Sequence, residues 1–351
     1  MKHVLIALAI ILGILLVAVL GFKLYDYIGA AEFYNNSEVV FKTPGVNNSN
    51  FVPQGMTYDA EAEKFYFTGY MGDPIIGNLG DDIAARVYFC DKDGNNLGFA
   101  RLYFEDGKPY DDHTGGIEVY GGYVYITGED SHGLDVFRLE DVLKGEAVML
   151  GTVETFNSPA HVYRFEYKGN NYILAGSYHK DETVYLTPKQ EKINIPGTDS
   201  MKNTSVMTVF KLDENAKWGI NPNPIAIISA REMVQGICIT ENQIVISTSW
   251  GLSTSKLYFY DLADIVCIDE NYNFKDESEK QCFGGFDFEV PCYVIDSHDP
   301  EKVVVAPPMS EELVYLDGRI IVFCESACNK YLFGKLTTGF NTYGYKYELN
   351  K

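Results

Sequence analysis

The chain has 351 residues, with 49 Asp or Glu against 28 Lys or Arg, for a formal net charge of −21. Such acidity excludes a nucleic-acid groove, which needs a basic face, and argues against docking on anionic lipid. It is compatible with bound cations or with a surface charged simply for solubility.

The first element is an unbroken apolar run from Val4 to Phe22. At about 19 residues it matches the roughly 20 that a helix needs to cross a hydrocarbon core, and exceeds the apolar centre of a cleavable signal. It reads as an uncleaved signal anchor over residues 1–23. The small residues Gly29-Ala30-Ala31 keep a cleaved, secreted form as the alternative. A single-pass membrane protein with its bulk outside the cytoplasm follows, joined by a linker over 24–36 to one unit over 37–351. Glu38-Val39-Val40-Phe41-Lys42 opens that unit as a lone strand.

A repeat follows, and a repeat decides the fold before anything else. Five hairpins occur in order, each an apolar strand, a turn and a second apolar strand. They are Gln54-Gly55-Met56 with Phe65-Tyr66-Phe67, Gly115-Gly116-Ile117 with Val124-Tyr125-Ile126, Tyr163-Arg164-Phe165 with Tyr172-Ile173-Leu174, Gln235-Gly236-Ile237 with Ile244-Val245-Ile246, and Glu311-Glu312-Leu313 with Ile320-Ile321-Val322. Gly121-Gly122, Gly169-Asn170 and Asp317-Gly318 supply tight turns. An aromatic–x–apolar–acid signature closes a third strand after each hairpin: Tyr88 to Asp91, Phe137 to Glu140, Phe210 to Asp213, Tyr258 to Asp261 and Tyr347 to Asn350. A fourth strand follows in most copies, as at Val148-Met149-Leu150 and Ile225 to Ile228. Four antiparallel strands recurring every 50–75 residues or so describe an all-β propeller. The last copy stops at its third strand, so the lone strand at Glu38–Lys42 is expected to close the ring, giving five blades. Six blades, with extra strands hidden in the insertion from Ala263 to Pro300, and a two-sheet sandwich are the alternatives. Cys267, Cys282 and Cys292 fall in that insertion, and Cys282–Cys292 is the expected disulfide.

The opening Pro53-Gln54-Gly55-Met56-Thr57-Tyr58-Asp59 resembles propellers of the strictosidine synthase and gluconolactonase type. That resemblance implies a propeller, usually six-bladed. The calcium-binding pattern of those proteins has no residue-by-residue match, so no activity is carried over. Pro308 to Glu312, with Phe323-Cys324-Glu325-Ser326, resembles uncharacterised secreted bacterial propellers and implies a fold and a compartment.

Antiparallel alternation puts the loops entering each first strand, and those leaving each second strand, on one face of the ring, here the top. His113 and His161 read as equivalent entries to copies 2 and 3, and His132 and His179 follow the second strands of the same copies. His113, His161 and Glu311 are therefore the expected ligands of a divalent metal, calcium or zinc, and the two histidines are the catalytic candidates. The expected ligand-binding set is Gln54, Tyr70, Glu129, Tyr178, His179, Gln235, Trp250 and Glu325, with Asp130 and Glu312 beside them. Ordinary roles compete: loop-capping histidines, solvated glutamates, packed aromatics, and Gln-Gly steps that only let inner strands approach. The expected function is a membrane-tethered propeller binding a small molecule, glycan or protein in a top-face funnel; the alternative is a metal-assisted hydrolase or lyase. There is no Gly-x-Ser-x-Gly elbow, phosphate loop, dinucleotide fingerprint or His-Glu-x-x-His. Asn35, Asn47 and Asn203 stand in Asn-x-Ser sequons.

Overall fold

A computed structural model describes residues 2–46, 50–73, 82–129, 131–180, 186–198, 201–276 and 286–347. Helix α1 (Lys2–Gly29) leads into a short α2 (Ala31–Asn35) and strand β1 (Ser37–Lys42). Blade 1 is β2 (Phe51–Asp59), β3 (Lys64–Met71), β4 (Arg86–Asp91) and β5 (Asn96–Tyr103). Blade 2 is β6 (Thr114–Tyr120), β7 (Tyr123–Gly128) and β8 (Gly133–Arg138); then, after α3 (Leu139–Lys144) and β9 (Glu146–Val148), it is completed by β10 (Gly151–Glu154). Blade 3 holds β11 (Pro159–Tyr167) and β12 (Asn170–Ser177). A long top loop with the small hairpin β13 (Ile193–Asn194) and β14 (Lys202–Asn203) comes next, then β15 (Ser205–Leu212) and β16 (Ile220–Ala230). Blade 4 has β17 (Val234–Ile239), β18 (Gln243–Thr248) and β19 (Ser255–Asp261). The hairpin β20 (Val266–Lys275) and β21 (Asp287–Val294) intervenes before its outer strand β22 (Lys302–Ala306). Blade 5 is β23 (Ser310–Leu316), β24 (Arg319–Cys324) and β25 (Asn341–Lys346), completed by β1.

The ring closes as the lone strand predicts. β1 runs antiparallel to β25, pairing Ser37 with Tyr345 and Lys42 with Asn341. The five innermost strands touch in the cycle β2–β6–β11–β17–β23–β2. Packing explains why these strands read as apolar on both sides: successive side chains point to opposite faces, and each face meets a neighbouring blade. Ile244 and Ile246 of β18 pack toward blade 3 with Leu174 and Met207. Val245 between them packs toward blade 5 with Leu313 and Val322. The same division gives one core at each of the five blade junctions.

Two strand expectations are corrected. Val148 ends β9, which pairs parallel with β5 as a fifth strand of blade 1; Gly145, in the left-handed conformation at φ 103°, ends α3 and turns the chain there. The fourth strand of blade 2 is instead β10. The described residues of the Ala263–Pro300 insertion form no sixth blade. Its hairpin crosses back to blade 3, where β21 pairs parallel with the outer strand β16 and covers that edge.

The stretch Ile10–Gly29 of α1 is long and apolar enough to cross a membrane. Its C-terminal end sits against the ring: Gly29 lies beside Thr254, and α1 touches the turn Phe333–Leu336. In α2, Phe33 is fully buried, stacked 5.7 Å from Tyr345 and edge-on 5.6 Å from Tyr343. None of the six described cysteines is in a disulfide, and the Cys282–Cys292 expectation falls on Cys282, outside the described residues. Asn203 is buried with its amide donating to the Ile295 carbonyl at 2.8 Å, so that sequon presents no free side chain; Asn47 lies outside the described residues.

Candidate functional site

Each innermost strand carries one extra residue at its entry, at equivalent places: between Pro53 and Gly55, Thr114 and Ile117, Pro159 and His161, Val234 and Gly236, and Ser310 and Leu313. A bulge of this kind breaks the ladder and re-aims the local side chains. Here it turns one residue per blade toward the axis, and Gln54, Gly115, Ala160, Gln235 and Glu311 together floor a cavity of about 680 Å³. That volume falls within the range of small-molecule sites.

The walls come from the second strands and the loops after them: Tyr70 from blade 1, Glu129 and His132 from blade 2, Tyr178 and His179 from blade 3, Ser249 and Trp250 from blade 4, and Glu325, Lys330 and Tyr331 from blade 5. His113 lines the cavity from the entry to blade 2. The expected residues Gln54, Tyr70, His113, Glu129, Tyr178, His179, Gln235, Trp250, Glu311 and Glu325 therefore share one cavity. His161 does not. The ladder pairs it with Gly176 and makes it the equivalent of Gly116, so His113 and His161 occupy different repeat positions, three residues apart. Its imidazole is fully buried against Gly176, where an added Cβ would lie 2.1 Å from Nε2, and burial pushes its pKa down to about 3. Among the described residues no three His, Cys, Asp or Glu side chains gather as a metal site, so the His113–His161–Glu311 set is not assembled. Asp130 lies outside the described residues.

Below the floor the axis is filled by carboxylates. Glu312 follows the bulge of β23, and its oxygens accept the backbone N–H groups of Met56 at 2.8 Å, Ile117 at 3.1 Å and Val162 at 3.1 Å. One side chain of blade 5 thus ties blades 1, 2 and 3. This is possible because blades 2 and 4 have glycine where it passes: a Cβ on Gly236 would meet the Glu312 Cα at 2.2 Å, and one on Gly116 its Oε1 at 2.6 Å. One layer further, Glu118 accepts from Thr57 Oγ1 at 2.8 Å and from the Arg164 N–H at 3.0 Å. Glu312 is therefore an axial brace and not part of the rim, a role invisible in a linear sequence because its partners are backbone amides of other blades.

Where wall meets floor, Glu325 accepts from Gln54 Nε2 at 2.7 Å and from the Tyr331 hydroxyl at 3.2 Å. Burial raises its pKa to about 7, against the opposing pull of Lys330 and these hydrogen bonds. Glu311 is 1% exposed, and its Oε1 has no hydrogen-bond partner. Burial first, then the Glu325 and Glu312 charges, hold its carboxyl well above the usual range. His113 lies against Tyr70 with ring centroids 4.3 Å apart and planes tilted by 33°, and burial pushes its pKa down to about 4, so the imidazole is neutral at physiological pH. Gln235 Nε2 donates to Ser249 Oγ at 3.1 Å, and the Tyr178 hydroxyl to the Ser249 carbonyl at 3.3 Å. His179 lies 3.0 Å from Glu191 Oε2, which also accepts from Ser177 Oγ at 2.7 Å; this buried bond fastens the long top loop of blade 3.

Sequence reasoning missed Lys330, Tyr331 and Ser158 as wall residues; Ser158 Oγ lies 2.9 Å from Nδ1 of His132, which the repeat places on the top face. They sit on loops, where no periodicity marks them.

No family model and no curated protein matches the sequence. Solved structures similar to the chain include a Myxococcus xanthus glutaminyl cyclase at 8% identity, covering 82% of this chain and 90% of that one with a TM-score of 0.39. A GH43 β-xylosidase/α-arabinofuranosidase from a compost microbial metagenome aligns at 10% identity over 88% and 93%, TM-score 0.45. A putative glucose dehydrogenase from Thermus thermophilus aligns at 10% identity over 88% and 98%, TM-score 0.40. These neighbours are β-propeller proteins. The five blades stand on the strand pairing itself.

Proposed function

We propose that this propeller is held at a membrane surface by α1, outside the cytoplasm, and binds a small molecule in its top-face funnel. The observation that carries the reading is the floor: five equivalent bulges point one residue per blade into a single cavity, and one of them, Glu311, presents a buried oxygen that the protein leaves without a partner. Buried polar groups without partners are costly, and a ligand that supplies the missing bond relieves that cost. The contact of α1 with Thr254 and Phe333–Leu336, all in top-face loops, supports a tether that holds this face at a set position.

Trp250 reports the test. It is one of two tryptophans and lies on the cavity wall. A metabolite and glycan library is expected to yield compounds that shift its emission, with affinity falling at least tenfold in Tyr178→Ala and Gln235→Ala. Hits that ignore both substitutions would place binding elsewhere.

A second reading, chemistry in place of simple binding, is favoured by the Glu311–Glu325 pair. Two carboxyls that feel each other at one cavity floor can hold one proton between them, which suits a general acid and base. In that case Glu325→Gln abolishes turnover of a bound compound while leaving its binding intact.

A further inference from the structure

We propose that the ligand of this funnel carries a protonated amine, which donates an N–H to Glu311 and rests its hydrocarbon body on the aromatic walls. The inference rests on the funnel being the binding site and names the chemical class it takes.

Four observations converge. First, Glu311 lines the cavity floor, is almost wholly buried, and its Oε1 accepts from no protein donor. Carboxylates bind ammonium groups through short charge-assisted hydrogen bonds, so a ligand N–H is the natural complement. Second, the charges acting on Glu311 are those of Glu325 and Glu312, both acidic. Among the described residues lining the cavity, Lys330 is the one Lys or Arg, and it is already engaged: its Nζ donates to the Tyr70 hydroxyl at 2.5 Å and lies 4.8 Å and 5.6 Å from the Tyr70 and Tyr331 ring centroids. Among the described residues lining the cavity, no further Lys or Arg is left to pair with an ionised Glu311. Third, the aromatic faces here already receive cations, since Lys180 Nζ also lies 5.0 Å from the Trp250 ring centroid. Aromatic faces attract ammonium groups and favour an organic cation over a bare metal ion. Fourth, the net charge of −21 draws cations toward the molecule.

The groups that face Glu311 set the pH behaviour. Glu312 on its own strand, Cys324 and Glu325 at the end of β24 and Tyr70 of blade 1 act on it directly, while Lys330, Tyr331, Gln54 and His113 share its cavity. Burial and its acidic neighbours push the Glu311 carboxyl up, and an ammonium favours the ionised form, so binding releases protons and tightens as pH rises.

The test is calorimetry on the full-length protein in detergent micelles, at pH 6 and pH 8, in two buffers of different ionisation heat. The probes are 2-phenylethylammonium, its neutral isostere 2-phenylethanol, methyl β-glucoside and calcium ion. An alkylammonium stays charged over this range because its pKa is about 10. The expected result is that 2-phenylethylammonium binds at least tenfold more tightly than 2-phenylethanol, more tightly at pH 8 than at pH 6, and with proton release. In Glu311→Gln its affinity falls at least tenfold and the proton release disappears. Should that variant not fold, the amine–alcohol ratio and the proton count of the wild type decide alone. Equal binding of amine and alcohol, binding of calcium in place of the amine, no amine binding at all, or amine binding unaltered in Glu311→Gln overturns the proposal. A neutral probe whose binding is sensitive to Tyr178→Ala sinks the amine class and leaves the funnel reading standing. Binding insensitive to every funnel substitution sinks both.

Discussion

Two adjacent glutamates, Glu311 and Glu312, show how far position outranks residue type. Both belong to the same bulged entry of β23, both are about 1% exposed, and they do opposite work. Glu311 lines the cavity and has a buried, unpartnered oxygen, while Glu312 accepts three N–H groups from three blades. Removing Glu312 strands those buried amides, and each unsatisfied buried group costs about 1–3 kcal/mol. Glu312→Ala is therefore expected to lower unfolding free energy by at least about 3 kcal/mol in denaturant titrations. A loss below about 1 kcal/mol would show that water or local rearrangement satisfies the amides equally well. The carboxyl–amide bonding of Glu312 cannot be read from the chain, because nothing in the stretch Glu311-Glu312-Leu313 distinguishes the two side chains.

At the scale of the element, the decisive piece is β1. Without it the edge of β25 in blade 5 is a row of open backbone groups, and blade 5 has only three strands. Two truncations separate tether from closure. A chain beginning at Ala30 keeps Phe33 and β1, and is expected to fold and leave the membrane fraction. One beginning at Thr43 loses both, and is expected to aggregate or melt at much lower temperature. Equal melting temperatures for the two would show that the pairing of Ser37–Lys42 with Asn341–Lys346 adds nothing to stability. The strand is legible in the sequence because the last repeat copy lacks a fourth strand. The hairpin β20–β21 is not, since its partner β16 lies in the preceding blade and parallel pairing leaves no local turn signal.

Across the whole molecule, the buried titratable groups set a pH dependence whose sign can be worked out. Glu325 has a folded pKa of about 7, above the unfolded value near 4.3, so the folded state holds its proton more tightly. The stability this lends is complete below the unfolded value and is lost as pH rises through about 7. Glu311, raised well above the usual range, adds to the loss in the same sense. His113 and His161, pushed down to about 4 and about 3, act in the other sense: their contribution is present above about 6.5 and is lost as pH falls toward those values. The two trends oppose each other between about 4.5 and 6.5, and only the carboxyls titrate above. Unfolding free energy is expected to fall between pH 6.5 and 8, and the fall to shrink in Glu325→Gln. A rise over that interval in the wild type would contradict the assignment of protonated carboxyls at the funnel floor.

What the chain determined by itself is whatever local pattern encodes: an apolar N-terminal run, five hairpins with apolar strands, a missing fourth strand at the end, and therefore a five-bladed ring closed from its beginning. Most of the funnel was also legible, because antiparallel parity sends every entry loop and every second-strand exit to one face. What only the tertiary structure decided is register at the axis. One extra residue at each inner-strand entry shifts which side chain points inward. It sends Gln54, Gln235 and Glu311 into the cavity, drops Glu312 onto the backbone of three blades and folds His161 back against Gly176. A one-residue shift in a strand moves a side chain to the opposite face. No pattern within a single blade reveals that shift, since it is set by the approach of five strands to a common axis.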